Sequence, residues 1–172
     1  MSKGVFIYGF GGHARVIADI LASEGKALLG FIDDDSSKWG KSGSRPEVRG
    51  YEAFLGLRTE EDALVIVGIG DNGARRRIAA KMEASGKGLF DTAVHASAVI
   101  GGNTSFGPGT VVMAGAVINC GSMIGRQSTS IRERATIMIV RLANASMFRQ
   151  GAPRKGRFGR GRKLDRTGCL HH

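Results

Sequence analysis

The sequence predicts an α/β protein in which a parallel sheet with helices is followed by short strands wound into a solenoid and by a basic tail. Three observations support this prediction. Apolar strands alternate with amphipathic helices before residue 92, apolar residues recur every six positions from Ile100, and the composition changes after about Gln127. With 172 residues, 42% of them hydrophobic, the chain can bury one ordinary core and a second small unit.

The chain opens with the pattern of a strand, a glycine-rich turn and a helix. The apolar run Val5–Tyr8 predicts a buried strand, Gly9–His13 predicts a tight turn, and a helix is predicted from Ala14 to about Ala22. Four residues of this helix repeat at the three-and-four spacing that predicts one face against the sheet: Val16, Ile17, Ile20 and Leu21.

Two further apolar runs continue the alternation. Leu28–Ile32 predicts a second strand that ends in three aspartates, and Leu64–Val67 predicts a third strand, followed by a turn at Gly68–Asn72. A helix is predicted from about Gly73 to Ala84, with Ile78, Ala79 and Met82 on its inner face. Strands that alternate with helices indicate βαβ units and a parallel sheet.

Polar and glycine-rich turns follow all three predicted strands. In a parallel sheet these turns meet at the carboxyl ends of the strands, where ligands bind. The loop Gly9–Gly12 can offer backbone N–H groups to a phosphate, and Asp33 and Asp34 can accept hydrogen bonds from a ribose or a base. Each feature alone also fits a plain turn or a solvated surface, but together they favour a nucleotide site. The third turn, Gly70–Asn72, with Arg75 one turn into its helix, supplies small residues, polar side chains and a cation.

A dinucleotide cofactor is the first alternative to that interpretation. Gly9, Gly11 and Ala14 fit the spacing of the dinucleotide fingerprint, and Asp33 follows about twenty residues later. This motif has low specificity, and the segment after the α/β unit favours a different class of protein.

A six-residue apolar period begins at Ile100. Each strand of a β-helix buries one side chain inward, and a hexapeptide period is typical of that fold. A meander of short antiparallel strands is the alternative. The apolar positions are Ile100, Phe106, Val112, Ile118 and Ile124, with small residues after three of them at Gly101, Gly107 and Gly125.

Charge divides the chain into two parts. Residues 1–125 carry 13 basic and 13 acidic side chains, so residues 126–172 hold the remaining 12 basic and 2 acidic ones of the totals of 25 and 15. No apolar run approaches the ~18 residues of a membrane span, and no signal peptide is recognisable, so we expect a cytoplasmic protein without a membrane partner. Cys120 and Cys169 are too few for a disulfide framework and lack the spacing of a zinc site.

These motifs in this order resemble the sialic-acid O-acetyltransferases and UDP-4-amino-sugar N-acetyltransferases. The likeness includes the Gly-Gly-His loop, the aspartate pair, the turn Gly68–Asn72, the segment Val94–Gly101 and the hexapeptides, and it covers residues 4 to about 127. It implies a nucleotide-sugar domain at 1–92, the start of a left-handed β-helix at 93–127 and an aberrant tail at 128–172. It further implies a UDP- or CMP-linked sugar substrate, acetyl-CoA as co-substrate, no metal, and a homotrimer. The residues that the resemblance places around the nucleotide sugar are Gly11, Gly12, His13, Asp33, Asp34, Gly70, Asp71, Asn72 and Arg75.

The histidine that this family is thought to use as general base has no counterpart in the chain. The resemblance places it within an Asp-His-Asp motif, but no histidine occurs between His95 and His171, and we assign no catalytic residue. If the codons are read one nucleotide earlier, the last base of the Met138 codon and the first two bases of the Ile139 codon give GAT, which encodes aspartate. The two shifted codons before it permit aspartate followed by histidine. The same shift permits isoleucine in place of Ser130 and Leu142. The shifted codon that spans Ala135 and Thr136, however, cannot encode the aliphatic residue expected there. We therefore hypothesise a frameshift near residues 127–129.

Two functional hypotheses follow. In the first, the chain derives from a sugar acyltransferase, retains the nucleotide-sugar domain and has lost catalysis, and its tail is expected to be disordered. In the second, it is a nucleotide-binding protein without catalytic activity, and its arginine- and glycine-rich segment Gly156–Lys163 associates with RNA. We do not expect a nucleic-acid partner under the first hypothesis.

Overall fold

The structure is a computed structural model that describes residues 4–40, 47–56, 63–86 and 89–130 and two short strands at 136–137 and 147–148. Its amino-terminal part is a four-stranded sheet in the order β3-β2-β1-β4, with every pairing parallel. The predicted α/β class and parallel sheet are confirmed. The strands are β1 (Val5–Tyr8), β2 (Leu28–Ile32), β3 (Val48–Arg49) and β4 (Leu64–Val67).

Within the described ranges, three helices accompany this sheet. They are α1 (Gly12–Ser23), the short α2 (Tyr51–Leu55) and α3 (Asn72–Ala84), and a 3-10 turn lies at Ser36–Lys38. Sequence patterns predicted α1 and α3 to within two residues at their starts, but not α2 or β3, because elements of five and two residues are too short to show a period.

The prediction for the inner face of α1 is wrong at one residue, Val16. Ile17, Ile20 and Leu21 are buried as predicted, but Val16 is 45% exposed. Adjacent helical residues point about 100° apart, and Ala14, which is fully buried, occupies the sheet-facing side in place of Val16.

From Ala93 the chain winds in coils of three two-residue strands. The first coil contains β5 (Ala93–Val94), β6 (Val99–Ile100) and β7 (Ser105–Phe106), and the second contains β8 (Val111–Val112), β9 (Val117–Ile118) and β10 (Met123–Ile124). Strands 18 residues apart pair in parallel, so each coil stacks on the previous one. The six-residue period is therefore a structural period, and the pairing is parallel rather than that of an antiparallel meander.

The interior of the coils holds most of the predicted apolar positions. Val112, Ile118 and Ile124 are buried and Phe106 packs against them, whereas Ile100, in the outermost coil, is 38% exposed. A third coil begins with β11 (Thr129–Ser130), which pairs with β8. Strand β12 (Thr136–Ile137) pairs with β9, and β13 (Met147–Phe148) pairs with β11. Thr136 pairs with Val117, 19 residues away, so this coil has one more residue than the others before β12.

The coils and the α/β part share one hydrophobic core. Ala93, Val111 and Met113 of the coils belong to the same buried cluster as Ile17 and Ile66. Helix α3 also contacts the coils through polar groups, since Arg126 forms an ion pair with Glu83. No helix in the described ranges is long and apolar enough to cross a membrane.

Candidate functional site

A cavity of about 380 Å³ opens at the carboxyl ends of β1, β2 and β4. We call it the sheet-edge cavity. Parallel sheets place their ligand sites at this edge, because the turns after the strands converge there. Its lining consists of Tyr8, Gly9, Phe10, Gly11, Gly12, His13, Asp33, Asp34, Lys38, Gly68, Ile69, Gly70 and Ile78.

The glycine-rich turn leaves β1 in a conformation that favours glycine. Gly9 has φ +110°, and its N–H donates to Ile32 O at 2.6 Å, which turns the chain towards α1. A Cβ atom added at Gly11 or Gly12 would meet no atom within 4 Å. Both positions therefore border open space at the start of α1, where backbone N–H groups can bind an anion.

Asp33 joins three segments of the cavity wall. Its carboxylate accepts from Phe10 N at 2.9 Å and from Asp35 N at 3.0 Å, and Lys38 Nζ lies 3.1 and 3.2 Å from its two oxygens. The Lys38 ammonium is thus held by Asp33, which with the nearby Asp35 raises the pKa of Lys38. This arrangement fixes the turn after β2 against the glycine-rich turn.

Asp34 lies beside a tyrosine and a lysine. Tyr8 Oη donates to Asp34 Oδ1 at 2.8 Å, and Lys81 Nζ lies 3.6 Å from the same oxygen. Burial of Tyr8 and its hydrogen bond with Asp34 raise the pKa of Tyr8, so its hydroxyl stays protonated and keeps donating. Asp34 also lines the sheet-edge cavity.

Three of the nine predicted site residues do not line the cavity. Asp71 caps α3 by accepting from Ala74 N at 2.7 Å, and Asn72 Oδ1 accepts from Arg75 Nη2 at 2.6 Å. Arg75 is fully buried, and its Nε donates to Gln127 O at 2.8 Å. The structure brings together the other six: Gly11, Gly12, His13, Asp33, Asp34 and Gly70.

His13 separates the sheet-edge cavity from a second one. This helix–coil cavity, of about 460 Å³, is lined by His13, Val16, Asp19, Ile20, His95, Met113 and Ala114. His13 Nε2 is buried and has no hydrogen-bond partner within the described residues. Burial, followed by the positive charge of Arg75, lowers the pKa of His13. The imidazole is therefore neutral near pH 7.

Sequence reasoning missed several lining residues, namely Tyr8, Phe10, Lys38, Ile69 and Ile78. Lys38 was the most predictable, because Asp35 accepts from Ser37 N and starts a 3-10 turn that carries Lys38 back over Asp33. Tyr8 and Ile78 belong to apolar patterns that only indicate burial. Within the described residues no group of three or more His, Cys, Asp or Glu side chains is arranged to hold a metal ion.

The structure shows a second regularity of the coils, in the backbone conformation of their turns. Every sixth residue from Asn103 to Gln127 has a left-handed backbone conformation. Three of these five residues are glycines, which adopt it without strain, and Asn103 tolerates it. Gln127, with φ +52°, is the exception. The five residues are Asn103, Gly109, Gly115, Gly121 and Gln127.

The comparisons with known proteins agree with this arrangement. Residues 4–82 match the family described as PglD N-terminal domain. The UDP-N-acetylbacillosamine N-acetyltransferase of Bacillus subtilis is 33% identical over 113 residues, which is 65% of this chain and 52% of that protein. Residues 4–82 and the following coils are thus similar to acetyltransferases that act on nucleotide-linked amino sugars. The chain spans about half the length of this curated relative.

Solved structures of two acetyltransferases are similar to this chain in fold. One is a variant of the perosamine N-acetyltransferase of Caulobacter crescentus in complex with CoA and GDP-perosamine, with 33% identity and a TM-score of 0.64 over 74% of this chain and 59% of that one. Another is the acetyltransferase domain of PglB from Neisseria gonorrhoeae in complex with acetyl coenzyme A. It is 27% identical, with a TM-score of 0.63, and the match covers 75% of this chain and 62% of that one.

Proposed function

We propose that this chain carries the nucleotide-sugar site of an acetyl-CoA-dependent sugar acetyltransferase and has lost the acetyl transfer itself. The observation that supports this most strongly is the sheet-edge cavity, in which a glycine-rich turn, two aspartates and Gly70 surround one space directly before stacked hexapeptide coils. Relatives with known ligands combine the same two parts, since the Caulobacter enzyme was solved with both CoA and a nucleotide sugar.

The ligand we propose is a nucleoside diphosphate or monophosphate sugar. The diphosphate lies against the backbone of Gly11 and Gly12, whose substituent positions are open, and the ribose or base meets Asp34. The sequence predicted a UDP- or CMP-linked sugar. The GDP-perosamine bound by the Caulobacter enzyme adds a purine nucleotide to the candidates, so the base is left to the binding experiment.

For the carboxyl-terminal part we propose the start of a left-handed β-helix of the kind that forms trimers. In this proposal residues 1–92 bind the nucleotide sugar, and residues 93–127 form the start of the β-helix. Acetyl-CoA is the co-substrate in the Neisseria relative. We propose that this chain does not bind acetyl-CoA productively. The family's general base is expected in the third coil, and the sequence there contains no histidine that could serve as that base.

The proposed loss of catalysis is supported by the residues at the start of the third coil. Gln127, Ser128 and Thr129 are at most 4% exposed, yet the Gln127 amide and both hydroxyls have no hydrogen-bond partner in the described part of the chain. Buried polar groups without partners cost about 1–3 kcal/mol each. Natural coils avoid such groups, so the third coil begins with residues that selection on this fold does not favour. This position coincides with the proposed frameshift, and Met138, where the histidine is expected, lies outside the described residues.

Calorimetry on the full chain tests the binding proposal. We expect a UDP-, CMP- or GDP-linked sugar to bind and NAD not to bind. Gly12→Val should abolish binding, because its side chain enters the open space that the phosphate needs. Gly102→Val is the matched control, since a Cβ atom there also meets nothing within 4 Å but lies on the coils. Binding of NAD with no binding of any nucleotide sugar would instead assign the cavity to a dinucleotide.

A further inference from the structure

The sheet-edge cavity has no spare positive charge in its lining. Its charged lining residues are Asp33, Asp34 and Lys38. Lys38 lies 3.1 Å from Asp33, and the neighbouring Lys81 lies 3.6 Å from Asp34, so both ammonium groups are paired. The lowered pKa keeps His13 neutral. A phosphate group entering the cavity would meet two carboxylates and two lysines that already neutralise them.

Arg75 lies directly behind the wall of this cavity. Its Nη1 donates to the carbonyl oxygens of Ile69, at 2.9 Å, and Gly70, at 3.4 Å, and both residues line the cavity. Its remaining acceptors are the Gln127 carbonyl and the Asn72 side-chain oxygen. All four acceptors are uncharged, and no carboxylate in the described ranges lies at ion-pair distance from the guanidinium.

We propose that Arg75 is the cation that makes the sheet-edge cavity selective for an anionic nucleotide, and that it acts through the Ile69–Gly70 backbone without touching the ligand. It is a positioning residue and not a phosphate ligand. A buried arginine satisfied by carbonyl oxygens keeps its full charge, and its field is screened less by water than that of an exposed side chain. The carbonyl groups that it holds also point away from the cavity, which removes negative dipoles from the phosphate site.

The surrounding charges are consistent with this role. Asp71 is the acid whose charge acts on Arg75, but its carboxylate caps α3. Arg76 is the neighbouring cation and is exposed. Arg15 also lies near the cavity, with its guanidinium carbon 5.6 Å from the centroid of the Phe10 ring. Arg15 could touch a phosphate directly, so the experiment must separate an exposed arginine from a buried one.

The proposal for Arg75 rests on the proposed nucleotide binding by this cavity. Ligands of different charge test the two proposals separately. Calorimetry on the full chain compares UDP with uridine and GDP with guanosine, in wild type, Arg75→Met, Arg75→Lys and the exposed control Arg76→Met. We expect Arg75→Met to weaken binding of the diphosphate about tenfold and of the nucleoside less than twofold. Arg75→Lys keeps the charge and should recover most of the lost affinity, and Arg76→Met should have no effect.

Each outcome bears on one of the two proposals. Equal losses for diphosphate and nucleoside in Arg75→Met would mean that Arg75 only packs the turn, and would overturn the inference. A loss in Arg15→Met with none in Arg75→Met would assign the role to Arg15. If the methionine variant does not fold, Arg75→Gln, which is neutral but still donates to the same carbonyls, must give the selective loss. Absence of any nucleotide binding by wild type would refute the proposed function itself.

Discussion

Two buried threonines of the coils give opposite predictions for the same substitution. Thr129 is 2% exposed and its hydroxyl has no hydrogen-bond partner in the described part of the chain. Thr110 is 1% exposed, and its Oγ1 donates to Gly107 O at 2.6 Å and contacts Gly125 O at 3.0 Å. Valine has nearly the shape of threonine, so each substitution removes a hydroxyl with little change in packing.

Thr129→Val should stabilise the protein and Thr110→Val should destabilise it. Removing an unsatisfied buried hydroxyl gains about 1–2 kcal/mol, since the cost of its desolvation disappears. The new methyl group joins Val111, its partner on the neighbouring strand, and Ala93 one coil further on. Removing the satisfied hydroxyl of Thr110 should cost about 1–3 kcal/mol, because its acceptors lose a donor.

Urea and thermal unfolding of the full chain measure both effects. For a protein of this size 1 kcal/mol shifts Tm by about 2–4 °C, so the two variants should move Tm in opposite directions by a few degrees. If Thr129→Val lowers stability as Thr110→Val does, then the Thr129 hydroxyl has a partner and the third coil is well formed. The structural support for a frameshift at this point would then disappear.

Two further predictions concern pH and catalysis. His13 has a lowered pKa in the folded state, so the unfolded chain binds more protons below its ordinary value of about 6.5 and stability falls as the pH decreases through that region. His13→Gln should lose less stability than wild type between pH 7.5 and 5 in urea titrations, and an identical pH profile would contradict the lowered pKa. This chain should release no CoA from acetyl-CoA in the presence of amino-sugar nucleotides, whereas a version translated in the shifted frame after residue 127 should do so. Turnover by the chain as it stands would show that its general base lies elsewhere.

The elements that the sequence predicted well are those with a long or strict pattern. The helices α1 and α3 have at least three turns, and the coils repeat one apolar position five times, so periodicity alone located them. Strand β3 has two residues and α2 has five, and their positions depend on contacts with β2 and β1 that no local pattern encodes. The left-handed turn positions were detectable, since Asn103, Gly109, Gly115 and Gly121 lie six residues apart, but they require the period to be known first.

The candidate site was predictable at the turns that directly follow the strands and at the start of α1, but not at the start of α3. Gly11, Asp33 and Gly70 line the cavity because the ends of parallel strands must converge. Arg75 was predicted as a ligand because it stands one turn into α3, near the same edge. Each residue of a helix points about 100° away from the previous one, so closeness to the sheet edge does not determine which way a side chain points. At its position in α3, Arg75 points into the interior towards Gln127 instead of into the cavity.

The contact between Arg75 and Gln127 makes the proposed nucleotide binding compatible with the proposed loss of the third coil's natural sequence. Arg75 Nε bonds to the carbonyl oxygen of Gln127, and the N–H of Gln127 donates to Pro108 O of the intact coil. Both contacts use the backbone, so they do not depend on which side chain stands at position 127. A change of reading frame there alters side chains but keeps these two hydrogen bonds. Backbone contacts at Gln127 therefore support the wall of the sheet-edge cavity, so the proposed nucleotide binding does not require the proposed acetyl-transfer residues of the third coil.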